Sequence, residues 1–143
     1  MRLSPSHLDE LRALLGADGV IATDAALFTY EADALMLEKH RPDVVVLPRS
    51  TDEVAAVVRW ACAMGLPVTP RGAGTGLAGG STPERGGIVL SVTRMDQVLR
   101  VDAERLFAWV QPGLVNLWLS QQLAPHDLYY APDPASQQVS TIG

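Results

Sequence analysis

The sequence predicts an α+β domain of two lobes, and three observations carry that prediction. Between residues 43 and 70 a β-branched run, an amphipathic helix and a second short apolar run follow one another, the βαβ grammar of a parallel sheet. Beyond a glycine-rich stretch the grammar changes to short alternating runs around a tight turn, the pattern of antiparallel pairing. The chain's 143 residues, 48% of them hydrophobic, suffice for one real core. The first lobe is expected over about residues 1–92 and the start of the second over about 93–143.

Each element has its own reason. "SPSHLDELRALLG" reads as a helix capped by Ser4, with Pro5 in the first turn, a Leu8, Leu11 and Leu15 stripe, and Gly16 at the stop. A second short helix is expected around residues 25–30, followed by an irregular stretch to Arg41. "DVVVL" (43–47) is a strand covered on both faces. In "STDEVAAVVRWACAMG", Ser50 and Glu53 have capping-box spacing. Val54, Val57, Val58, Ala61 and Cys62 recur on one face, and Gly65 ends the helix. "LPVTP" (66–70) is the next strand, parallel to the first. "GIVLSV" (87–92) is a strand, and "QVLRVDAERLFAWVQPG" is an antiparallel pair turning near residues 102–105. Leu114, Val115, Trp118, Leu119 and Leu123 repeat at helical spacing, and "LYYAPDPASQQVSTIG" starts extended, stiffened by Pro132 and Pro134.

Composition removes several function classes. A net charge of -5 without any Lys/Arg cluster argues against a nucleic-acid or anionic-membrane surface. The N-terminus lacks the apolar run of a signal peptide, and no stretch is long enough to span a bilayer. One cysteine, Cys62, excludes an intrachain disulfide and suggests a reducing compartment, so the cytoplasm is the expected location.

"PRGAGTGLAGGS" (70–81) concentrates five of the twelve glycines between Gly72 and Gly80. As helix interior they would cost about 4–5 kcal/mol relative to alanine. The stretch is therefore a loop, leaving the carboxyl end of a parallel strand, where open α/β sheets place ligands. Residues 74–79 fit G-x-G-x-x-G as a string, but Pro83, Gly86 and Gly87 leave no room for the helix that the dinucleotide fingerprint must open. Consecutive N–H groups in an open turn nonetheless form an anion nest, and a pyrophosphate is its natural guest. Gly72, Gly74 and Gly76 would let the backbone approach without Cβ atoms in the way, with Thr75 as a further donor and Arg71 as a neutralising charge. A ligand-free inter-strand loop accounts for one or two glycines, not five.

That loop and, some fifty residues later, "PDPASQQVSTIG" resemble the two flavin-cradling segments of FAD-linked oxidases of the vanillyl-alcohol oxidase / p-cresol methylhydroxylase type. Within that type the likeness is greatest to the glycolate oxidase FAD-binding subunit and its D-lactate and D-2-hydroxyglutarate dehydrogenase relatives. It runs from about Tyr30 to Gly143 and includes "LPRSTDEVAAVVRWA" and "VQPG". The resemblance implies a two-lobed FAD-binding domain in which Pro70, Arg71, Gly72, Ala73, Gly74, Thr75 and Gly76 hold the FAD pyrophosphate. Pro132, Asp133, Pro134, Ser136, Ser140, Thr141, Ile142 and Gly143 would line the other wall, and Gly113 would turn the chain beside the cofactor. The loop contains no histidine, so non-covalent FAD is expected.

Family members continue past "TIG" to finish this domain and add a substrate domain, so the chain is expected to be the N-terminal part of a longer enzyme and inactive alone. The implied chemistry is oxidation of a small 2-hydroxy acid, a base taking the hydroxyl proton while the α-hydride moves to flavin N5. The resemblance also implies an iron–sulfur or other electron-transfer subunit as partner, and a membrane-peripheral complex as an alternative setting. Within these residues no catalytic base stands out. His126 is expected at a helix C-terminal dipole, His7 and His40 in solvent, Cys62 in the core, and Trp60, Trp109 and Trp118 in packing, with no metal-binding spacing. Two other readings remain open at this point: a non-catalytic piece that needs a complementary chain, and a flavin oxidase acting on another alcohol or a sugar.

Overall fold

A computed structural model describes residues 3–143. At its centre are the β-branched runs, because side chains that fit a pleated surface can be buried on both faces only inside a sheet. β1 (Val20–Ile21), β2 (Val44–Val46), β3 (Val68–Arg71) and β4 (Ile88–Ser91) form one sheet in the order β1-β2-β4-β3. β2, β4 and β3 run parallel, with Val44 opposite Ile88 and Ile88 opposite Val68; β1 adds antiparallel to β2. The two strands of the expected βαβ unit are thus parallel but not adjacent, since β4 slots between them.

Alternation along each strand divides the core. Val44, Val46, Ile88 and Leu90 face α1 (Pro5–Leu15) and α3 (Thr51–Ala63), whose Leu11, Leu15, Val57 and Ala61 are buried against them. Val45 and Val89 face the opposite way, onto Leu27 of α2 (Asp24–Leu27) and the half-buried Ile21 and Tyr30. Each such aliphatic side chain contributes about 1.5–3 kcal/mol when fully buried. A one-residue slip in register would reverse the faces and lose both clusters.

Helix ends follow the sequence, with two adjustments. Ser4 caps α1, accepting from His7 N, while His7 Nδ1 accepts from Ser4 N. His7 is therefore a capping partner, packed edge-on against Trp60 with ring centroids 5.9 Å apart, rather than a solvated side chain. Ser50 caps α3 through Glu53 N at 3.2 Å, but the Glu53 carboxylate reaches one residue further back, to Arg49 N at 2.7 Å. The buried line on α3 is Val57 and Ala61, flanked by Val54. Val58 and Cys62 lie beyond it and are exposed, which corrects the expectation that Cys62 belongs to the core.

The second lobe is a hairpin of β5 (Val98–Asp102) and β6 (Phe107–Val110) backed by α4 (Asn116–Leu123). Leu114, Leu119 and Leu123 form its core with Val98, Val101, Ala108 and Val110. Trp109 and Trp118 stay outside it, 58% and 49% exposed, against the expectation of packing. Trp109 instead stacks edge-on with Phe107, 5.4 Å between centroids, on the open face of a two-stranded sheet. His126 is exposed in the 3-10 turn that prolongs α4. Among the described residues no helix is long and apolar enough to cross a membrane.

Candidate anion-binding site

The glycine-rich segment occupies an unusual place. β3 and β4 are parallel neighbours, and parallel neighbours ordinarily need a crossover, usually a helix. Here residues 72–87 make that crossover with no helix at all, leaving the carboxyl end of β3 at Arg71. Turns tie down the later part of the crossover, where Thr82 N–H donates to Gly79 O, Glu84 N–H to Thr82 O and Gly86 N–H to Pro83 O, but the first part neither coils nor pairs. The N–H groups of Gly74, Thr75, Gly76, Leu77 and Ala78 donate to no acceptor among the described residues. On either side the run is tied down: Ala73 N–H donates to Thr141 Oγ1 at 3.3 Å, and Gly79 N–H to Asp33 Oδ2 at 2.7 Å. Of these, Ala73, Gly74, Thr75, Gly76, Ala78 and Asp33 border a shallow cavity of about 240 Å³, which Thr141 and Gly143 close from the far side. Five adjacent free amides at a cavity mouth are a place for a multiply charged anion.

The glycines there serve different ends, and this revises the idea that all of them clear a path for a ligand. A Cβ on Gly72 would collide with Thr141 Oγ1 and lie 2.6 Å from Gly143 O, so this glycine makes room for the C-terminal segment. Gly74 has φ +74°, and a Cβ there would strike the Arg71 guanidinium. At Gly76 and Gly80, both in the cavity lining, a Cβ would meet nothing within 4 Å, and of the two Gly76 lies within the free-amide run, so its missing side chain leaves open space beside those donors.

Arg71 lies beneath the loop rather than in it. Its Nη1 donates to Ala32 O at 2.8 Å and to Ser81 Oγ at 3.3 Å, and the guanidinium sits 5.6 Å from the Tyr30 ring centroid. Desolvation by burial lowers this group from its ordinary value, opposed by Tyr30 and by the charge of Asp33. Arginine begins so far above neutrality that the side chain stays cationic. It therefore places a fixed positive charge behind Gly74.

The second motif is held by the start of α4. No side chain caps that helix; its first free amides are satisfied by main-chain carbonyls, Asn116 N by Ser140 O (2.9 Å) and Leu117 N by Gln137 O (3.0 Å). Val115 bridges Thr141 antiparallel, Ile142 N donates to Leu114 O, and Gly143 N to Pro112 O. The buried Asn116 donates through Nδ2 to Pro132 O at 3.1 Å. Ser140 Oγ is buried and has no partner, the one such side-chain atom among the described residues.

The predicted positions thus divide. Gly72, Ala73, Gly74, Thr75, Gly76, Thr141 and Gly143 come together around the cavity. Pro70 and Arg71 end the strand below it, while Ser140 and Ile142 belong to the segment docked on α4. Pro132, Asp133, Pro134 and Ser136 lie outside the cavity lining, the first three exposed. Gly113 is buried, and its missing side chain accommodates the carbonyl of Val92, which gives it a packing role. Two residues escaped the sequence reading, Asp33 and Asn116. Asn116 left a trace as a polar residue inside the apolar pattern of 114–119. Asp33 left none, because its partner Gly79 is 46 positions away.

The sequence matches the FAD binding domain family over residues 42–143, and the chain belongs to that family. Among curated relatives it is 43% identical over 124 residues to the glycolate oxidase subunit GlcD of Escherichia coli K12, covering 87% of this chain and 25% of that protein. It is 40% identical over 116 residues to a D-lactate dehydrogenase of Anaerostipes hadrus, covering 81% and 24%. A solved alkyldihydroxyacetonephosphate synthase superposes with a TM-score of 0.89 at 28% identity, over 99% of this chain and 28% of that one. For p-cresol methylhydroxylase the TM-score is 0.76 at 25% identity, over 85% and 24%. The chain spans about a quarter of the length of these relatives.

Proposed function

We propose that this chain is the FAD-binding region of an oxidoreductase acting on a small 2-hydroxy acid of the glycolate or D-lactate class, with FAD held non-covalently. The observation that carries the reading is the run of five amides from Gly74 to Ala78 without a partner among the described residues, at the carboxyl end of a parallel strand, with a half-buried cation behind it. Such a run suits a dinucleotide diphosphate: the amides and the Thr75 hydroxyl supply donors, and Gly76 leaves the approach clear. The roles of Pro132, Asp133, Pro134, Ser136 and Gly113 in the opposite wall remain part of the proposal.

When bound, FAD would supply the two-electron acceptor for the α-hydrogen of the substrate, with hydride transfer to flavin N5 the chemistry this reading implies. These residues bind and orient the cofactor: the amides fix the diphosphate, Arg71 balances its charge from beneath, and Thr141 locks the two segments together. The base and the carboxylate clamp for substrate lie in the remainder of the protein, so the 143 residues alone are inactive. An electron-transfer subunit, of iron–sulfur or other type, is the partner in this reading, and the setting is cytoplasmic or membrane-peripheral within a complex.

The test is purification of the complete protein. Near-stoichiometric flavin that denaturation releases as intact FAD, and that D-lactate or glycolate bleaches under anaerobic conditions, is the expected outcome. A colourless protein that takes up no FAD refutes the cofactor assignment. Flavin that stays attached after denaturation refutes the non-covalent mode, and bleaching only by a sugar or an aromatic alcohol refutes the substrate class.

A further inference from the structure

Three consecutive residues, 32–34, touch the glycine loop at two points and the Arg71 side chain beneath it. Ala32 O accepts from Arg71, Asp33 Oδ2 accepts from Gly79 N, and Ala34 N donates to Gly76 O at 3.2 Å. Asp33 is 6% exposed, and its second oxygen accepts from Leu35 N at 3.0 Å, so both carboxylate oxygens are engaged by main-chain amides. The neighbouring segment thus grips the loop at Gly76 and again three residues later at Gly79.

The grip fixes two peptide planes at the end of the free-amide run. No peptide bond in the described chain is cis, and in a trans peptide plane the C=O and the following N–H point in opposite directions. With Gly76 O directed at Ala34, Leu77 N–H is turned away from that segment. With Gly79 N–H committed to Asp33, Ala78 C=O is turned away likewise. Gly79 has φ +76°, a conformation in which the chain makes this reversal without a Cβ penalty.

We propose that Asp33 is a positioning residue for the diphosphate site: from the lining of the same cavity its carboxylate fixes the Ala78–Gly79 peptide, and so anchors the C-terminal end of the free-amide run in the orientation that receives the anion. The inference rests on the functional reading above and adds to it a residue of opposite charge sign. A carboxylate close to an anion site is electrostatically unfavourable, and Arg71 offsets it from the same layer. Its presence makes sense as an acceptor for Gly79 N–H, which would otherwise be left without one.

Charge and geometry make opposite predictions, and Asp33→Asn separates them. The substitution removes one negative charge near the site and replaces one of two acceptor oxygens by NH₂, so that Leu35 N–H and Gly79 N–H no longer both have an acceptor and neither has a charged one. Were Asp33 to act through its charge, the variant would bind anions more tightly. As a positioning residue, its loss weakens them, by about tenfold to a hundredfold if one charge-assisted hydrogen bond is lost.

The experiment uses the complete protein stripped of flavin, titrated with FAD, with ADP as a probe of the diphosphate half, and with riboflavin, which lacks phosphate. The expected result is that Asp33→Asn weakens FAD and ADP by the same factor and leaves riboflavin unchanged, while Asp33→Glu recovers part of the loss. Unchanged or tighter ADP binding overturns the proposal, and so does an equal loss of riboflavin, which would signal general unfolding. The Gly79 amide proton resonance in the flavin-free protein reads the grip independently of any ligand. It is expected far downfield, as for an amide bonded to carboxylate, and to move upfield in Asp33→Asn; a Gly79 resonance that ignores the substitution also overturns the proposal. Wild-type protein that binds neither FAD nor ADP, yet shows the Gly79 shift, would instead refute the functional reading.

Discussion

Replacing Gly76 by alanine separates ligand approach from loop stability. A Cβ at Gly76 meets nothing within 4 Å, and the backbone there is not left-handed, so the flavin-free protein should tolerate the change. Stiffening of the unfolded chain even favours the variant by about 0.4–1 kcal/mol. The new methyl stands where the diphosphate is proposed to approach, and displacing one charge-assisted amide contact is worth about 1.5–3 kcal/mol, a tenfold to hundredfold rise in the FAD dissociation constant. Gly74→Ala should behave oppositely. Its φ of +74° costs an L-residue about 1–2 kcal/mol, and the new Cβ displaces the Arg71 guanidinium from Ala32 O, losing up to about 1.5–3 kcal/mol more. Thermal melts of the flavin-free variants and FAD titration by flavin fluorescence give the two axes. Gly76→Ala is expected stable and weakly binding, Gly74→Ala destabilised before any ligand is added. A Gly76→Ala variant that titrates FAD like wild type would refute the reasoning, because the open space at that glycine would then have no bearing on the cofactor.

Four more outcomes are expected. Gly72→Ala pushes Thr141 and Gly143 away from the loop and removes the Ala73–Thr141 hydrogen bond, worth about 0.5–1.5 kcal/mol, so FAD titration should show weaker binding. Thr141→Ser keeps the hydroxyl and should stay near wild type in the same titration. Gly113→Ala forces a methyl into Val92 O and should lower stability by about 1–3 kcal/mol in denaturant melts, with unchanged FAD affinity in the folded fraction. Cys62 is exposed on α3 and should react with a maleimide in the native protein without loss of flavin, as read by mass and absorbance.

Local patterns carried much of the fold. The runs at 43–47 and 87–92 announced buried strands because nothing but a sheet covered on both faces hides Val44, Val45 and Val46 together. Ser4 and Ser50 marked helix starts that the structure bears out. What escaped was non-local. No feature of "GIVLSV" says that it inserts between β2 and β3, or that Val20 and Ile21 add an antiparallel edge. Helical spacing placed Val57, Val58, Ala61 and Cys62 on one face, but the sheet contact is narrower than that stripe, and Val58 and Cys62 fall outside it.

The candidate site divides the same way. Glycine density and the lack of room for a helix located the loop, because both are properties of consecutive residues. The occupants of the space freed at Gly72 and Gly74 are Thr141 and Arg71, one of them about seventy positions away, and only folding brings them there. Asp33 is the plainest case: an ordinary aspartate in an irregular stretch, given meaning by a single bond to Gly79.

The central claim is that main-chain donors between Gly74 and Ala78 hold the diphosphate. An experimental structure of the complete protein with FAD bound tests it most directly. Diphosphate oxygens are expected about 2.7–3.2 Å from several of those five nitrogens, with Gly79 N–H still on Asp33. Phosphates seated elsewhere, with the five amides facing bulk water, would contradict it.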